Sequence, residues 1–589
     1  MTIAVRKTPG VYITEREAFL PSIASVPTAI PAFIGYTEKA EADGKSILLR
    51  PQRVDSMVDY EAFFGAGYKA QFSFNKLEGQ PKEYDFSFMG GYYELKPQDG
   101  TKLFKLYNSL RAFYANGGAT CYIVSVGIYG TQAGSVDQKI SKEHLLEGLS
   151  VLEAFVGPTI LAMPDAVLLE QKDCYDVYQK MLVQCSTLQD RIALLDVPQT
   201  ENPKQSAVVD AFRGNIGSEH LGYGVAYYPF IKTTVVSSDE VSYENFGSDL
   251  KILLMGNLKP KEDEIARLRN NLTDLEKALP KPESDVKKWT DSVNEKIDSL
   301  KLSITQGQKT DKKYDIAGAI RKLLEEIERL KSKINPAEEI KKLEREIGKL
   351  KADIALLDFI KMPGGNADRM SIKRNNENLI AQVDLTAELQ KLAVKKLNLL
   401  PPSGAIAGLY AYSDRTRGVW NAPANLALKA VVAPSFNITD AQQQELNVPT
   451  DGKAINAIRY FVGRGTLVWG ARTLQGNSDD WRYIQVRRSL IYIEQSIKQT
   501  LATFVFAPND GKTWVAVTAM ISSFLQEVWN QGGLLGATAQ EAFSVTCGLG
   551  STMTAKDVLE GHMIVQVKLQ MLRPAEFIEL TFEQTMGES

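Results

Sequence analysis

Between Ala119 and Phe230 apolar, β-rich runs alternate with amphipathic runs of helical length, and this alternation restricts the fold more than any other feature of the 589-residue chain. Cys121 to Val126, Thr159 to Met163, Arg191 to Leu195 and Gly224 to Phe230 read as strands. His144 to Phe155, Tyr175 to Gln189 and Ser206 to Asn215 read as the helices between them. A helix between two strands carries the chain back along the sheet, so successive strands pair in parallel through right-handed crossovers. The expected fold class is therefore α/β, within an α+β multidomain chain built on a parallel-sheet core.

The flanking segments obey other rules. Residues 1–40 carry Pro9, Pro21, Pro27 and Pro31, which exclude a long helix, and they read as an extended arm with first strands at Val11 and Ile13 and at Phe33 and Ile34. Residues 41–118 are mixed, with a helix from Leu103 to Tyr114 halted at Asn116-Gly117-Gly118. The α/β core is assigned to 119–258. Composition then turns to Lys, Glu, Leu and Ile over 259–372. Leu323, Ile327, Leu330 and Ile334 make one apolar stripe, and Ile340, Leu343, Ile347, Leu350 and Ile354 make another beyond Asn335-Pro336. This spacing predicts an inserted helical hairpin or small bundle, packed on itself because each helix has too few heptads for a free coiled-coil dimer.

A C-terminal domain is assigned to 373–561. A strand is expected from Thr466 to Trp469, turns at Gly470 and Gly476, and a helix from Trp481 capped by Asp479 and Asp480. The last segment, 562–589, alternates: Val565, Val567, Leu569 and Met571 share one face, and Gln566, Lys568 and Gln570 the other. With little left in the chain to pair against, such a β arm closes its own sheet or extends a neighbour's.

Charge and cysteine content narrow the function. Lys+Arg 68 against Asp+Glu 71 gives a net charge of -3, with no basic excess for nucleic acid or an anionic membrane. Cys121, Cys174, Cys185 and Cys547 form no CxxC pair and read as buried thiols of a protein made in the cytoplasm. No apolar leader and no run of membrane-spanning length is seen.

Patterns that carry chemistry are few. His144, His220 and His562 are scattered and fit no metal-ligand spacing. Gly511-Lys512-Thr513 lacks the glycine that a phosphate loop places five residues earlier, where Phe506 stands. Asp165 and Asp196 end strands where α/β enzymes put catalytic groups, but no Lys, His or Gly-rich loop accompanies them, and Asx-turns or capping of the next helix are the simpler expectation. No GxSxG elbow is present. Arg482, Arg487 and Arg488 on the helix after Asp480 suit either an acidic partner surface or a solvated helix face. No catalytic residue, cofactor or metal ligand is expected.

Three stretches carry a family resemblance. The opening Thr8-Pro9-Gly10-Val11-Tyr12 followed by 26-VPTAIPAFIGYTEKA-40, then 401-PPSGAIAGLYAYSDRTRGVWNAPAN-425, then 456-NAIRYFVGRGTLVWGARTL-474 with 479-DDWRYIQVRRSLIYIEQSI-497, resemble the tail sheath proteins of contractile phages and phage-like extracellular contractile injection systems. The resemblance implies a structural subunit, not an enzyme, that polymerises as stacked rings around an inner tube and contracts to drive the tube through a target envelope. It implies arms exchanged between subunits, here through Val11, Tyr12 and Ile13 at one end and Val565, Val567, Leu569, Met571, Ile578 and Leu580 at the other. It also implies tube contact near Arg482, Arg487 and Arg488, and an insertion facing outward. Partners would be other copies, paralogous sheath subunits, the inner tube protein, and baseplate and cap proteins, with no nucleic acid and no membrane insertion. Assembly would take place in a bacterial cytoplasm, with release in a tail-like particle. Two rival readings stand beside it: an α/β hydrolase with a helical lid using Asp165, Asp196 and His220, and a coiled-coil adaptor.

Overall fold

The computed structural model describes residues 23–88, 90–98, 103–129, 140–199, 205–247, 249–250, 253, 369–382 and 384–577. The helical insertion expected within 259–372, apart from its last residues at 369–372, and the arm strands at Val11 to Ile13 and Ile578 to Leu580 lie outside these residues.

A nine-stranded sheet organises the fold. From edge to edge it runs Leu426–Ala427, Gly465–Trp469, Asn456–Phe461, Gly224–Tyr228, Ile192–Asp196, Ile160–Ala162, Pro31–Thr37, Cys121–Ile128 and Gln52–Val54. The six strands from Asn456–Phe461 to Cys121–Ile128 pair in parallel, and the outer three are antiparallel. The crossover helices Lys142–Ser150, Gln171–Leu188 and Gln205–Asn215 fall within a few residues of the expected ones. Both faces are covered, so Ile160–Ala162, Ile192–Asp196 and Gly224–Tyr228 are buried at every position.

The expected N-terminal arm needs correction at one point. Residues 31–37 are not part of an arm: they insert between Cys121–Ile128 and Ile160–Ala162, and every residue of the strand is buried. Pro31 is tolerated because it opens the strand, where its missing N–H withdraws little from the ladder.

Helix Ser403–Arg417 is the hinge of the packing. Its small residues Gly404 and Gly408 lie so near the backbone of helix Leu106–Ala115 that a Cβ at either would strike the carbonyl oxygen of Ser109 or Phe113. Its Tyr410 hydroxyl meets that of Tyr227 at 2.7 Å in the sheet core.

The C-terminal part forms a separate cluster. Ile493 of helix Ile484–Leu501 packs with Val517, Met520, Ile521, Phe524, Leu525 and Val528 of helix Gly511–Asn530. Beside them lies a two-stranded antiparallel sheet, Phe543–Thr546 with Gln566–Leu569. The helix expected from Trp481 begins at Ile484, because Tyr483, not Asp479 or Asp480, occupies its N-cap position and no side chain caps it.

Candidate functional site

The carboxyl ends of the parallel strands, where an α/β enzyme would bind its substrate, are filled by the chain itself. Helix Ser403–Arg417 starts after two prolines and has no side-chain cap from its own residues. Asp196 supplies one from the sheet: it accepts from the Ser403 amide at 2.7 Å and the Ser403 hydroxyl at 2.5 Å. Asp165 does the same for helix Leu106–Ala115, accepting from the amides of Lys105 (2.6 Å) and Leu106 (3.2 Å) and from Tyr36 N–H (3.1 Å). Both aspartates are buried. Burial pushes the Asp196 carboxyl up to about 7 against the pull of the Ser403 bonds, and burial also raises Asp165. Both aspartates therefore cap helices, but not the next ones as expected: Asp165 caps a helix 59 residues earlier and Asp196 one 207 residues later. Gly511-Lys512-Thr513 opens a helix whose amides at Lys512 and Thr513 are taken by Asp510. No group of three or more His, Cys, Asp or Glu among the described residues is placed to hold a metal. No described helix is long and apolar enough to cross a membrane.

The C-terminal domain offers a surface of another kind. In the two-stranded sheet Phe543 faces Leu569 and Val545 faces Val567, and both pairs turn inward onto the helical cluster. Ser544, Thr546, Gln566 and Lys568 face solvent. Among the described residues no third strand joins this sheet, so each outer edge presents a row of backbone groups to whatever strand approaches. Val565, Val567, Leu569 and Met571, expected to form an exchanged arm, are thus held by their own subunit, with Met571 bridged to Leu534. The boundary drawn at 562 cuts through this unit, since the strand at 566–569 belongs to it.

Both ends of the described chain reach the same domain. Ile23 packs into the helical cluster. The Val26 amide donates to Ser496 Oγ at 3.1 Å, and Tyr492 and Ser25 share a hydroxyl bond of 2.9 Å. At the other end Glu576 binds Arg472 and Tyr483, just before helix Ile484–Leu501.

The three arginines divide. Arg488 is 5% exposed and forms a two-pronged ion pair with Asp414, at 2.9 and 2.6 Å, beneath the Tyr410 ring. Arg487 is 7% exposed, sandwiched between Trp481 (3.6 Å) and Tyr223 (4.2 Å), and donates to the Gly222 carbonyl. Neither guanidinium faces outward: Arg487 ties helix Ile484–Leu501 to the turn before strand Gly224–Tyr228, and Arg488 ties it to helix Ser403–Arg417. Arg482 alone keeps a partly exposed side chain, tied to Asp479 at 2.7 Å. Sequence reasoning missed the Arg488–Asp414 and Arg472–Glu576 pairs, because partners 74 and 104 residues apart leave no local pattern.

Residues 477–585 match the phage tail sheath C-terminal domain. The tail sheath protein of Vibrio phage KVP40 is 24% identical over 194 residues, 32% of this chain and 27% of that protein. A putative prophage major tail sheath protein of Pseudomonas aeruginosa strain UCBPP-PA14 is 27% identical over 156 residues, 26% of this chain and 39% of that protein. By this match the chain carries a tail sheath C-terminal domain, and the curated proteins it resembles are tail sheath proteins. The aligned stretches span well under half of either sheath relative's length. The fold likeness extends further. The anti-feeding prophage baseplate in its contracted state includes a chain 21% identical, with a TM-score of 0.54 over 98% of this chain and 99% of that one. The sheath complex of an extracellular contractile injection system, also contracted, includes one 23% identical, with a TM-score of 0.50 over 99% of each. At these identities the likeness is one of fold, and it runs almost the whole length of this chain.

Proposed function

We propose that this chain is a structural, non-catalytic subunit of a contractile sheath, polymerising as stacked rings around an inner tube and contracting to drive that tube through a target envelope. The observation that carries the reading is the unfinished two-stranded sheet at 543–546 and 566–569, set in the domain where both chain ends dock. A two-stranded sheet is only marginally stable alone, whereas strands added at its edges supply backbone hydrogen bonds whatever their side chains. Arm segments from neighbours, 1–22 at one end and the chain beyond Phe577 at the other, would complete it, with Val11, Tyr12, Ile13, Ile578 and Leu580 as strand residues. Such bonds persist while subunits rotate, so the lattice can change pitch without dissolving. The energy for contraction would be stored in the assembled state, with no nucleotide.

Partners under this reading are other copies and paralogous sheath subunits, the inner tube, and baseplate and cap proteins. Of the three arginines, Arg482 would be the one to meet an inner tube, since its side chain is partly exposed whereas Arg487 and Arg488 are buried. The charge-laced segment 259–372 would face outward, since the inner radius is occupied, and a mixed-charge surface resists lateral aggregation. Assembly belongs to the bacterial cytoplasm and action to a released tail or tail-like particle. The test is co-expression with the tube and baseplate proteins of the same cluster, followed by electron microscopy. Striated hollow sheaths around a tube are expected; a chain that stays monodisperse beside assembled tubes would refute the reading.

A further inference from the structure

Arg472 is 4% exposed and lies three residues beyond the central-sheet strand Gly465–Trp469. Its backbone is fixed by Asn456, whose Oδ1 accepts from the Arg472 amide and whose Nδ2 donates to the Arg472 carbonyl, both at 2.8 Å. The guanidinium lies near the Tyr483 ring, 5.9 Å from its centroid, and one nitrogen donates to the Gly476 carbonyl. Its remaining donors meet Glu576: Nε lies 3.0 and 3.1 Å from the two carboxylate oxygens, and Nη2 lies 2.5 Å from Oε2. The Tyr483 hydroxyl donates to the same Oε2 at 3.3 Å. A two-pronged, largely buried pair of this kind has strong directional preference. Without Glu576, Arg472 would be a buried cation with one carbonyl and one ring for company.

The placement gives the pair its meaning. The tail is held once at Gln566–Leu569 and Met571 by the small sheet, and again at Glu576 by a residue just beyond the central-sheet strand Gly465–Trp469. We propose that Arg472, aided by Tyr483, is the anchor of the C-terminal arm in its own subunit, making Glu576 a pivot from which the arm leaves toward a neighbour. The pivot's consequence for assembly rests on the sheath reading; the anchor itself does not. An arm fixed to the donor's central sheet must follow that sheet when subunits move, so displacement of one ring is passed to the next with little slack. Arg472 is here a positioning residue.

Two readouts on the full chain separate the anchor from the sheath reading. The first needs no polymer: chymotrypsin cleavage after Phe577, which is 73% exposed, followed by mass spectrometry. Glu576→Arg should speed this cleavage about tenfold or more by freeing the tail, Glu576→Gln should have a smaller effect, and the swap R472E/E576R should restore the slow rate. The second is sheath formation with tube and baseplate proteins. Glu576→Arg should lose it while circular dichroism still shows a folded chain, its melting transition lowered by the stranded Arg472 cation, and the double swap should regain both. Mixing the two single variants should rescue nothing, because the pair lies within one subunit. Wild-type cleavage in E576R would overturn the anchor, as would rescue by the mixture, which would place the pair between subunits. If R472E fails to fold, the Glu576 variants still decide. If the wild-type chain forms no sheath, that reading falls while the cleavage series still answers for the anchor.

Discussion

In the nine-stranded sheet, Pro31–Thr37 is buried along its length and has a partner strand on each side; in the two-stranded sheet, Gln566–Leu569 has one partner among the described residues and half its side chains in water. The charges differ in the same sense. Around the central sheet Asp165, Asp196, Asp414, Arg487 and Arg488 are turned inward and spent on capping, pairing or stacking. In the C-terminal domain the polar residues of the strands, Ser544, Thr546, Gln566 and Lys568, point out beside open edges. The first region is finished within one chain. On the sheath reading proposed above, the second would be finished by other chains, a division of labour that would let a subunit remain rigid while its connections move.

The difference can be broken from the open side with the largest effect. Deleting residues 1–20 keeps Ile23, Ser25 and Val26 on the C-terminal domain, so the subunit should fold and melt as before yet form no sheath by sedimentation or microscopy. On the closed side, Asp414→Ala strands the Arg488 cation in the interior and should cost about 3–5 kcal/mol in denaturant unfolding. Full assembly competence with unchanged stability would mean that pair is not structural.

Asp196 gives a pH test. Its carboxyl stands near 7 when folded, above an ordinary value of 3.8, because burial disfavours the charge. The folded chain therefore keeps a proton that the unfolded chain has released. This group's contribution is present at low pH, withdrawn as pH climbs from about 4 to about 7, and flat above that. Asp196→Asn should fold and lose this component of the slope, at most a few kcal/mol across the window. The same variant addresses the hydrolase alternative, which would require any esterase activity to vanish with it. The smallest effect is Gly408→Ala. The added methyl meets the Phe113 carbonyl and should cost about 1–3 kcal/mol, read as a lowered melting temperature with sheath formation retained.

Much of the closed region is legible in the sequence because parallel strands announce themselves as short apolar runs between helices. The strands at 121–128, 160–162, 192–196 and 224–228 lie where the alternation puts them. Pro31–Thr37 reads as arm in the sequence, since a strand donated to the sheet centre from far along the chain carries no local sign of its neighbours. Asp165 and Asp196 are recognisable as caps without their helices being identifiable, because their partners lie 59 or 60 and 207 residues away. The arginine cluster reads equally as surface or contact: adjacent arginines on a helix look solvated until Asp414, Trp481 and Tyr223 are brought against them. The alternation at 565–571 identifies the strand but not its partner, which is Phe543–Thr546 of the same chain.

The most direct test of the account compares the full-length protein with a 1–577 truncation by negative-stain electron microscopy, each co-expressed with the inner tube and baseplate proteins. The truncation keeps both strands of the small sheet and the Arg472–Glu576 pair, and removes only residues 578–589. The account predicts long striated sheaths from the full-length chain and folded, unassembled subunits from the truncation. Sheaths of normal length from the truncated chain would contradict the claim that the C-terminal arm completes a neighbour's sheet.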